Sequence, residues 1–236
     1  SGLDLSRFRR WYSQAGTPHL KVKQSWENGR YVMSFSQHTP PTPGQVDKQP
    51  LVIPVAMALL DESGEMMALD EKGALEQVLT VSEAEQQFEF SLSRRPVPSL
   101  LRNASAPVML EVDYSAEDLA LLVAHDTDGY CRWDAAQRLY LAALDRIADG
   151  GDVGAEAEAL APMLRNVLSR AGEDPAAAAL LMKLPSGRGL CGHYRPLAPG
   201  VIHGALTKLG AGLGLALAKE LWGAVVEMRV AKPYAP

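Results

Sequence analysis

The stretch HLKVKQSWENGRYVMSFSQ (His19–Gln37) decides how the first half of the chain folds. Its apolar residues recur every second position, and Asn28-Gly29 interrupts them at the centre. Both central residues of a tight type I′ hairpin turn need positive φ, which Asn and Gly tolerate best. The stretch therefore predicts a β-hairpin. Working outward, the polar, proline-rich loop TPPTPGQVDKQP leads to LVIPVAMALLD, whose Glu62-Ser63-Gly64 turn feeds a further segment, Met66 to Leu69. LEQVLTVS, EQQFEFSL, the proline-broken RRPVPSLLR and APVMLEVDY follow at short spacing. About seven short extended segments within roughly a hundred residues predict a small Ig-like β-sandwich.

From Ser115 the period changes to that of helices. Ser115 and Asp118 have capping-box spacing, and a helix is expected from there to about His125. Asp128-Gly129 breaks the chain. Trp133, Ala136, Tyr140, Leu144 and Ile147 then mark one face of a longer helix that ends at Gly150-Gly151. Leu160, Leu164, Val167 and Leu168 mark the next. Asp174-Pro175 reads as an N-cap followed by proline at the first helical position, opening a short helix that stops before Pro185. Ile202, Leu206, Leu209, Leu213, Leu217, Leu221 and Val225 predict one long last helix. Successive amphipathic helices with short connections imply an α-solenoid-like array rather than a closed bundle.

The last helix is rich in glycine, with Gly204, Gly210, Gly212, Gly214 and Gly223 inside it. Each costs roughly 0.8–1 kcal/mol against alanine in an exposed helix interior, so packing must supply its helicity. Gly210 and Gly214 have the GxxxG spacing that permits close helix contact, or stand as neutral sequence. No polar capping unit follows, and the last helix is expected to present an apolar face to water. Upstream of the hairpin, Leu5, Phe8 and Tyr12 share one face of a helical turn that Gly16 and Thr17-Pro18 terminate. That face has nothing earlier in the chain to pack against. Both ends of the sequence read as cut from a larger whole.

Composition excludes several classes. The 236 residues are 47% hydrophobic and 22% charged, with a net charge of -5 and no basic stripe, which argues against a nucleic-acid partner. Two cysteines, Cys131 and Cys191, give no disulfide framework, and no apolar leader is present, so a cytoplasmic location is expected. Between Lys208 and Lys219 lie only ten uncharged residues, whereas a membrane-spanning helix needs about 20. No membrane span is expected.

The search for chemistry is equally restrictive. None of the five histidines, His19, His38, His125, His193 and His203, begins a His-Glu-x-x-His sequence. There is no Gly-x-Ser-x-Gly elbow and no phosphate-binding Walker loop, and GAGLG lacks both the third glycine of a dinucleotide fingerprint and a preceding strand. His125, Cys131, Cys191 and His193 are residue types that a structural zinc accepts, but Cys131 lies six positions after His125, more than paired ligands usually allow. Solvated histidines and a packed Cys131 are the competing reading. Asp126 and Asp128 are read as caps shaping the start of the Trp133 helix, in preference to paired acids. Arg9, Arg10, Arg94, Arg95 and Arg102 are read as solvated charges, or as partners for carboxylates across a domain interface. Asn103-Ala-Ser105 matches a glycosylation acceptor by chance, and Trp11 and Trp133 are read as core or interface aromatics. No catalytic, cofactor-binding or metal-binding residue is expected in this chain.

Several strings taken together carry more information. FRRWYSQAGTP, TPPTPGQ, QPLVIPVAMALLDESGE, RPVPSLLRNASAPVMLEVDYS, LALLVAHDTDGYCRWDAAQ and DPAAAALLMKLPS occur in an order and spacing that closely resemble the bacterial aminopeptidase N (alanyl aminopeptidase) family. APGVIHGALTKL resembles the DPxAIHxAR region of the same family. The resemblance implies zinc metallopeptidases that remove N-terminal residues from peptides, built from an N-terminal β domain, a catalytic domain, a small β-sandwich and a helical domain. It also implies that the zinc ligands and the Gly-x-Met-Glu-Asn motif lie upstream of Phe8, so none maps onto this chain. On that basis residues 1–16 end a catalytic domain, 17–114 form the sandwich and 115–236 begin the helical domain. This chain then has no cofactor of its own and is inactive alone. Its expected partner is the catalytic domain of the same polypeptide, with self-association through exposed apolar helix faces as a further possibility. The chain departs from the family at Asp128-Gly-Tyr-Cys-Arg-Trp133, where members read DPFNRW, at Leu190–Pro196, and in its glycine-rich last helix.

Overall fold

The computed structural model describes residues 5–194 and 198–229. The chain divides into two compact units, one ending at Cys131 and the other starting at Arg132. In the first unit the hairpin forms as expected from β1 (His19–Glu27) and β2 (Arg30–His38), with Asn28 at φ 50° and Gly29 at φ 83° in the turn. The other strands are β3 (Ile53–Leu60), β4 (Glu76–Val81), β5 (Glu85–Ser91), β6 (Val97–Leu100) and β7 (Met109–Val112). They make two sheets, ordered β5-β2-β1-β7 and β4-β3-β6. Every pairing is antiparallel except β1 with β7. Met66 forms only a single bridge to Leu60, so the expected Met66–Leu69 segment is a loop edge and not a strand.

Period-two alternation explains the core. Leu20, Val22, Tyr31, Met33 and Phe35 point inward from one sheet, and Ile53, Val55, Met57 and Leu59 from the other, all nearly free of solvent. α1 (Arg10–Ser13) lies against this core through Trp11, whose indole Nε1 donates to Val52 O at 2.8 Å. Phe8 and Tyr12 on the same segment stay 42% and 84% exposed. The unpartnered face expected from the sequence is thus present, and only Trp11 finds the sandwich. α2 (Ala116–His125) closes the first unit, and its N-terminus carries the expected capping box of Ser115 and Asp118.

The second unit is helical. α3 (Gly129–Ala148) opens just ahead of it, followed by α4 (Val153–Ser169), α5 (Pro175–Leu181), α6 (Gly187–His193), α7 (Pro199–Ala216) and α8 (Ala218–Arg229). Asp152 and Asp174 cap α4 and α5 by accepting from Ala155 N and Ala177 N, and Pro175 occupies the first turn. The core face of α3 holds Ala136, Tyr140, Leu144 and Ile147, and the Tyr140 hydroxyl donates to Leu181 O at 2.7 Å. Trp133, read as part of that face, is 38% exposed. The buried face instead runs through Cys131, Ala135 and Ala136. α6 was not expected, because three of its seven residues would have to be read as Gly187, Gly189 and Gly192 in a helix.

The single long last helix is overturned. It breaks at Leu217 into α7 and α8, which meet at 73°. Leu217 is fully buried at the bend, and Arg165 of α4 holds it from outside. Its Nη2 donates to Ala216 O at the end of α7, and its Nε donates to Glu220 in α8. A cation at a helix C-terminus satisfies carbonyls that would otherwise lack partners. The close approach uses Gly212, where an added Cβ would lie 3.2 Å from Ala157 Cβ and from Val153 Cγ1 on α4. Gly214 has nothing within 4 Å, so the Gly210–Gly214 spacing is not the contact. Among the described residues no single helix is long and apolar enough to cross a membrane.

Two glycines with left-handed backbone separate conformation from packing. Gly64 (φ +86°) would place a Cβ 2.2 Å from His125 Cγ, whereas Gly73 (φ +80°) has open space. Gly73→Ala is expected to lower stability by about 1–2 kcal/mol through backbone conformation alone. Gly64→Ala should cost about 1–3 kcal/mol more, because the end of α2 must shift. Urea unfolding of both variants checks this, and equal midpoints would remove the packing argument.

Candidate functional site

The most elaborate polar assembly in the first unit is built on Arg102. Arg102 follows the apolar run Leu100-Leu101, and the chain there leaves β6 through a 3-10 turn, Arg102–Ala104. Leu101 (φ 61°), Asn103 (φ 54°) and Ala104 (φ 50°) all occupy the left-handed region without being glycine. Such residues cost of order 1–3 kcal/mol each and persist where their surroundings over-determine them. Here the surroundings are carboxylates.

The Arg102 side chain is 3% exposed and that of Asp126 is 0%. Arg102 Nη1 donates to Asp126 Oδ1 at 2.6 Å and to Ser99 Oγ at 3.0 Å. Its Nη2 donates to Thr127 Oγ1 at 2.6 Å and to the more exposed Glu76 at 2.9 Å. Burial pulls the guanidinium pKa down, but the charge and hydrogen bond of Asp126, with Glu76 behind them, outweigh it and hold it above its ordinary value. Asp126 Oδ1 also accepts from Asp128 N at 2.9 Å. Asp128 accepts from Cys131 N at 2.8 Å, capping α3, and from Asn103 N at 2.8 Å. Asp126 and Asp128 are therefore the cap and turn residues that the sequence predicted, and they also pin the strained Asn103.

A second tie runs parallel. Arg95 grips Asp118 with two hydrogen bonds, 2.9 and 2.8 Å, while Asp118 completes the capping box with Ser115. Burial alone would push the Asp118 carboxyl up, but Arg95 and the Ser115 backbone hold it below its ordinary value. Arg94 pairs with Asp61 at 2.6 Å, and Arg10 Nη1 donates to Pro50 O at 2.6 Å, while Arg9 is exposed. Of the two readings of these arginines, solvated charges or partners for carboxylates, Arg102 takes the second, with both partners inside the first unit. The available signal was an arginine placed directly after a run of buried leucines.

The candidate zinc ligands have other occupations. Cys131 is buried, its Sγ donates to Leu100 O at 3.3 Å, and burial pushes its thiol pKa far up, which leaves it an unreactive neutral group. The exposed His125 covers Gly64. His193 Nε2 faces Asp145 at 3.0 Å, and the Cys191 side chain lies outside the described residues. Among the described residues no three His, Cys, Asp or Glu side chains are grouped to hold a metal, so a catalytic zinc does not fit these residues. The Asn103-Ala-Ser105 hydroxyl is engaged too, donating to Pro54 O and accepting from Ala56 N. What remains is a clamp that positions backbone, with Arg102 and Asp126 enclosed while Glu76 and Arg95 reach solvent.

An Ig-like sandwich followed in sequence by successive helices defines a class of two-domain regions. Residues 16–113 match the family described as "Domain of unknown function (DUF3458) Ig-like fold", and residues 116–236 match "Domain of unknown function (DUF3458_C) ARM repeats". The chain belongs to this family, and the expected sandwich and solenoid-like array are borne out. It is 39% identical over 232 residues to aminopeptidase N of Escherichia coli (strain K12), covering 94% of this chain and 26% of that protein. It is 35% identical over 238 residues to aminopeptidase N of Haemophilus influenzae, covering 98% and 27%. A crystal structure of Legionella pneumophila aminopeptidase A in complex with aspartic acid superposes with a TM-score of 0.84 at 25% identity, over 100% of this chain and 26% of that one. The chain thus spans about a quarter of the length of these relatives, and the resemblance to the aminopeptidase N family holds along nearly all of it.

Two predictions test the clamp. Asp126→Ala strands a buried guanidinium and should cost about 3–5 kcal/mol, whereas Asp128→Ala, losing chiefly a cap, should cost about 1–2 kcal/mol. Guanidinium unfolding of both variants gives the order, and a reversed order would refute it. The depressed Asp118 contributes stability that is complete above its ordinary value of 3.8 and is lost as pH falls below it, through the folded value. Unfolding midpoints at pH 6 and pH 3 should therefore differ less in Asp118→Asn than in the parent chain.

Proposed function

We propose that this chain is the non-catalytic sandwich and helical region of an aminopeptidase N-like zinc metallopeptidase, a class that removes N-terminal amino acids from peptides. Residues 1–16 end the catalytic domain in this reading, 17–114 form the spacer and 115–236 begin the helical domain. Their role is structural: to hold the helical domain so that an enclosed cavity admits peptides and excludes folded proteins. The observation that carries the reading is a similarity to aminopeptidase N that runs through 94% of the chain yet accounts for 26% of the relative.

The catalytic domain of the same polypeptide is the proposed partner, and the exposed Leu5, Phe8 and Tyr12 supply the face it covers. The zinc belongs to that domain. A cytoplasmic setting agrees with the lack of a disulfide framework, and a net charge of -5 favours neither nucleic acid nor an anionic membrane surface. A second reading, a stand-alone interaction module, draws on Leu215 and Trp222, which are 82% and 67% exposed.

Incubation of the isolated chain with alanyl p-nitroanilide is expected to give no turnover above background, and robust turnover would overturn the assignment. A catalytic domain supplied as a separate chain should bind the parent sequence at least about tenfold more tightly than Tyr12→Asp. Sedimentation separates the two readings, since concentration-dependent self-association without binding to a catalytic domain favours the interaction module.

A further inference from the structure

The solvent face of the four-stranded sheet carries a histidine pair that the clamp does not use. His19 opens β1 and His38 closes β2, and the antiparallel register sets them directly opposite each other. Their rings lie 4.9 Å apart, centre to centre, tilted by 34°. On the other side of His19 the parallel register places Met109 opposite it and Glu111 opposite Lys21, so Glu111 is the diagonal neighbour of His19. His19 Nδ1 faces Glu111 Oε1 at 3.4 Å. The His19 side chain is 33% exposed, and His38 is exposed.

Three features of this arrangement bear on metal binding. An ionised carboxylate only accepts hydrogen bonds, so a His19 paired with Glu111 carries its proton on Nδ1 and keeps the Nε2 lone pair free. That carboxylate–histidine relay is the usual support of a ligating imidazole. A tetrahedral cation with metal–nitrogen bonds of about 2.0–2.1 Å holds two imidazole nitrogens about 3.3 Å apart. Rings centred 4.9 Å apart bracket that separation, because each nitrogen sits at the ring edge. Finally, both histidines occupy regular strands at their paired ends, so their Cα positions are fixed before any ligand arrives.

We propose that His19 and His38, paired across β1 and β2, form a two-imidazole surface site for a divalent transition-metal cation, with Glu111 orienting His19 and water completing the coordination. Imidazole suits Ni2+, Cu2+ and Zn2+, whereas Ca2+ and Mg2+ require oxygen ligands that this face does not assemble. The proposal rests on these residues alone and owes nothing to the peptidase reading.

Titration of the untagged 236-residue chain with NiCl2 alone, followed by calorimetry, tests it. One Ni2+ per chain is expected, with His19→Ala and His38→Ala each weakening binding at least about tenfold and Glu111→Gln several-fold. His203→Ala, on α7, should bind as the parent does. All four side chains lie at or near the surface, and circular dichroism confirms that the variants fold. Absence of a one-to-one isotherm, or an unchanged affinity in His38→Ala, would overturn the site. So would nuclear magnetic resonance broadening by Cu2+ that centres on His125, His193 or His203 in place of His19 and His38.

Discussion

The buried pair of Arg102 and Asp126 is the interaction on which the first unit's geometry rests. Taking both charges out of water is expensive, and their attraction repays it only when the remaining donors and acceptors are engaged. Ser99, Thr127 and Glu76 engage the guanidinium's terminal nitrogens and Asp128 N shares the carboxylate oxygen, while Arg102 Nε and Asp126 Oδ2 stay buried without a partner, so the network is only partly satisfied. Two apolar residues of similar volume would fill the same space with comparable stability, but they would leave the backbone direction after β6 undetermined. The ionic version fixes it. Leu101, Asn103 and Ala104 hold positive φ because Arg102 and Asp128 seize the turn between them.

The second unit solves a related problem with different chemistry. Its last two helices must turn at Leu217 and still satisfy the carbonyls at the end of α7. A guanidinium does this again, as Arg165 reaches Ala216 O and Glu220 together. Glycine supplies the approach, because Gly212 lets α7 come within van der Waals reach of Val153 and Ala157. The glycine content that weakens the helix as an isolated element is thus used at one position for packing. The structure gives no such reason for Gly204, Gly214 or Gly223.

Local signals made most of the fold legible. The Asn28-Gly29 turn, the Ser115 and Asp118 capping box and the Asp174-Pro175 start each depend on residues within four positions of one another, and each forms as read. Reading failed where distant parts decide. The break at Leu217 depends on Arg165, 52 positions earlier in the numbering of the chain, and a heptad-like leucine pattern continues undisturbed across it. Trp133 fits the apolar face by spacing alone, but the buried face runs through Cys131, Ala135 and Ala136. Sequence leaves both readings of Arg102 open because a charge gives no sign of its partners there, and those partners, Glu76 and Asp126, lie on either side of it at long range. Asp126 and Asp128 were legible as caps since capping is local, but their second role, restraining Arg102 and Asn103, was not.

The distribution of polar groups also bears on what the chain does. A catalytic group must reach substrate, and its protonation must change or its electrons be available near neutral pH. In the first unit the best-connected groups fail both conditions: Arg102 stays charged and enclosed, Cys131 stays neutral and enclosed, and Asp126 is fully covered. Some of the exposed residues are of another kind. Tyr12, Leu215 and Trp222 are large and apolar, which water tolerates poorly and another protein surface covers well. A buried ion pair holds the backbone after β6, and these exposed apolar side chains leave area suited to being covered by another protein surface.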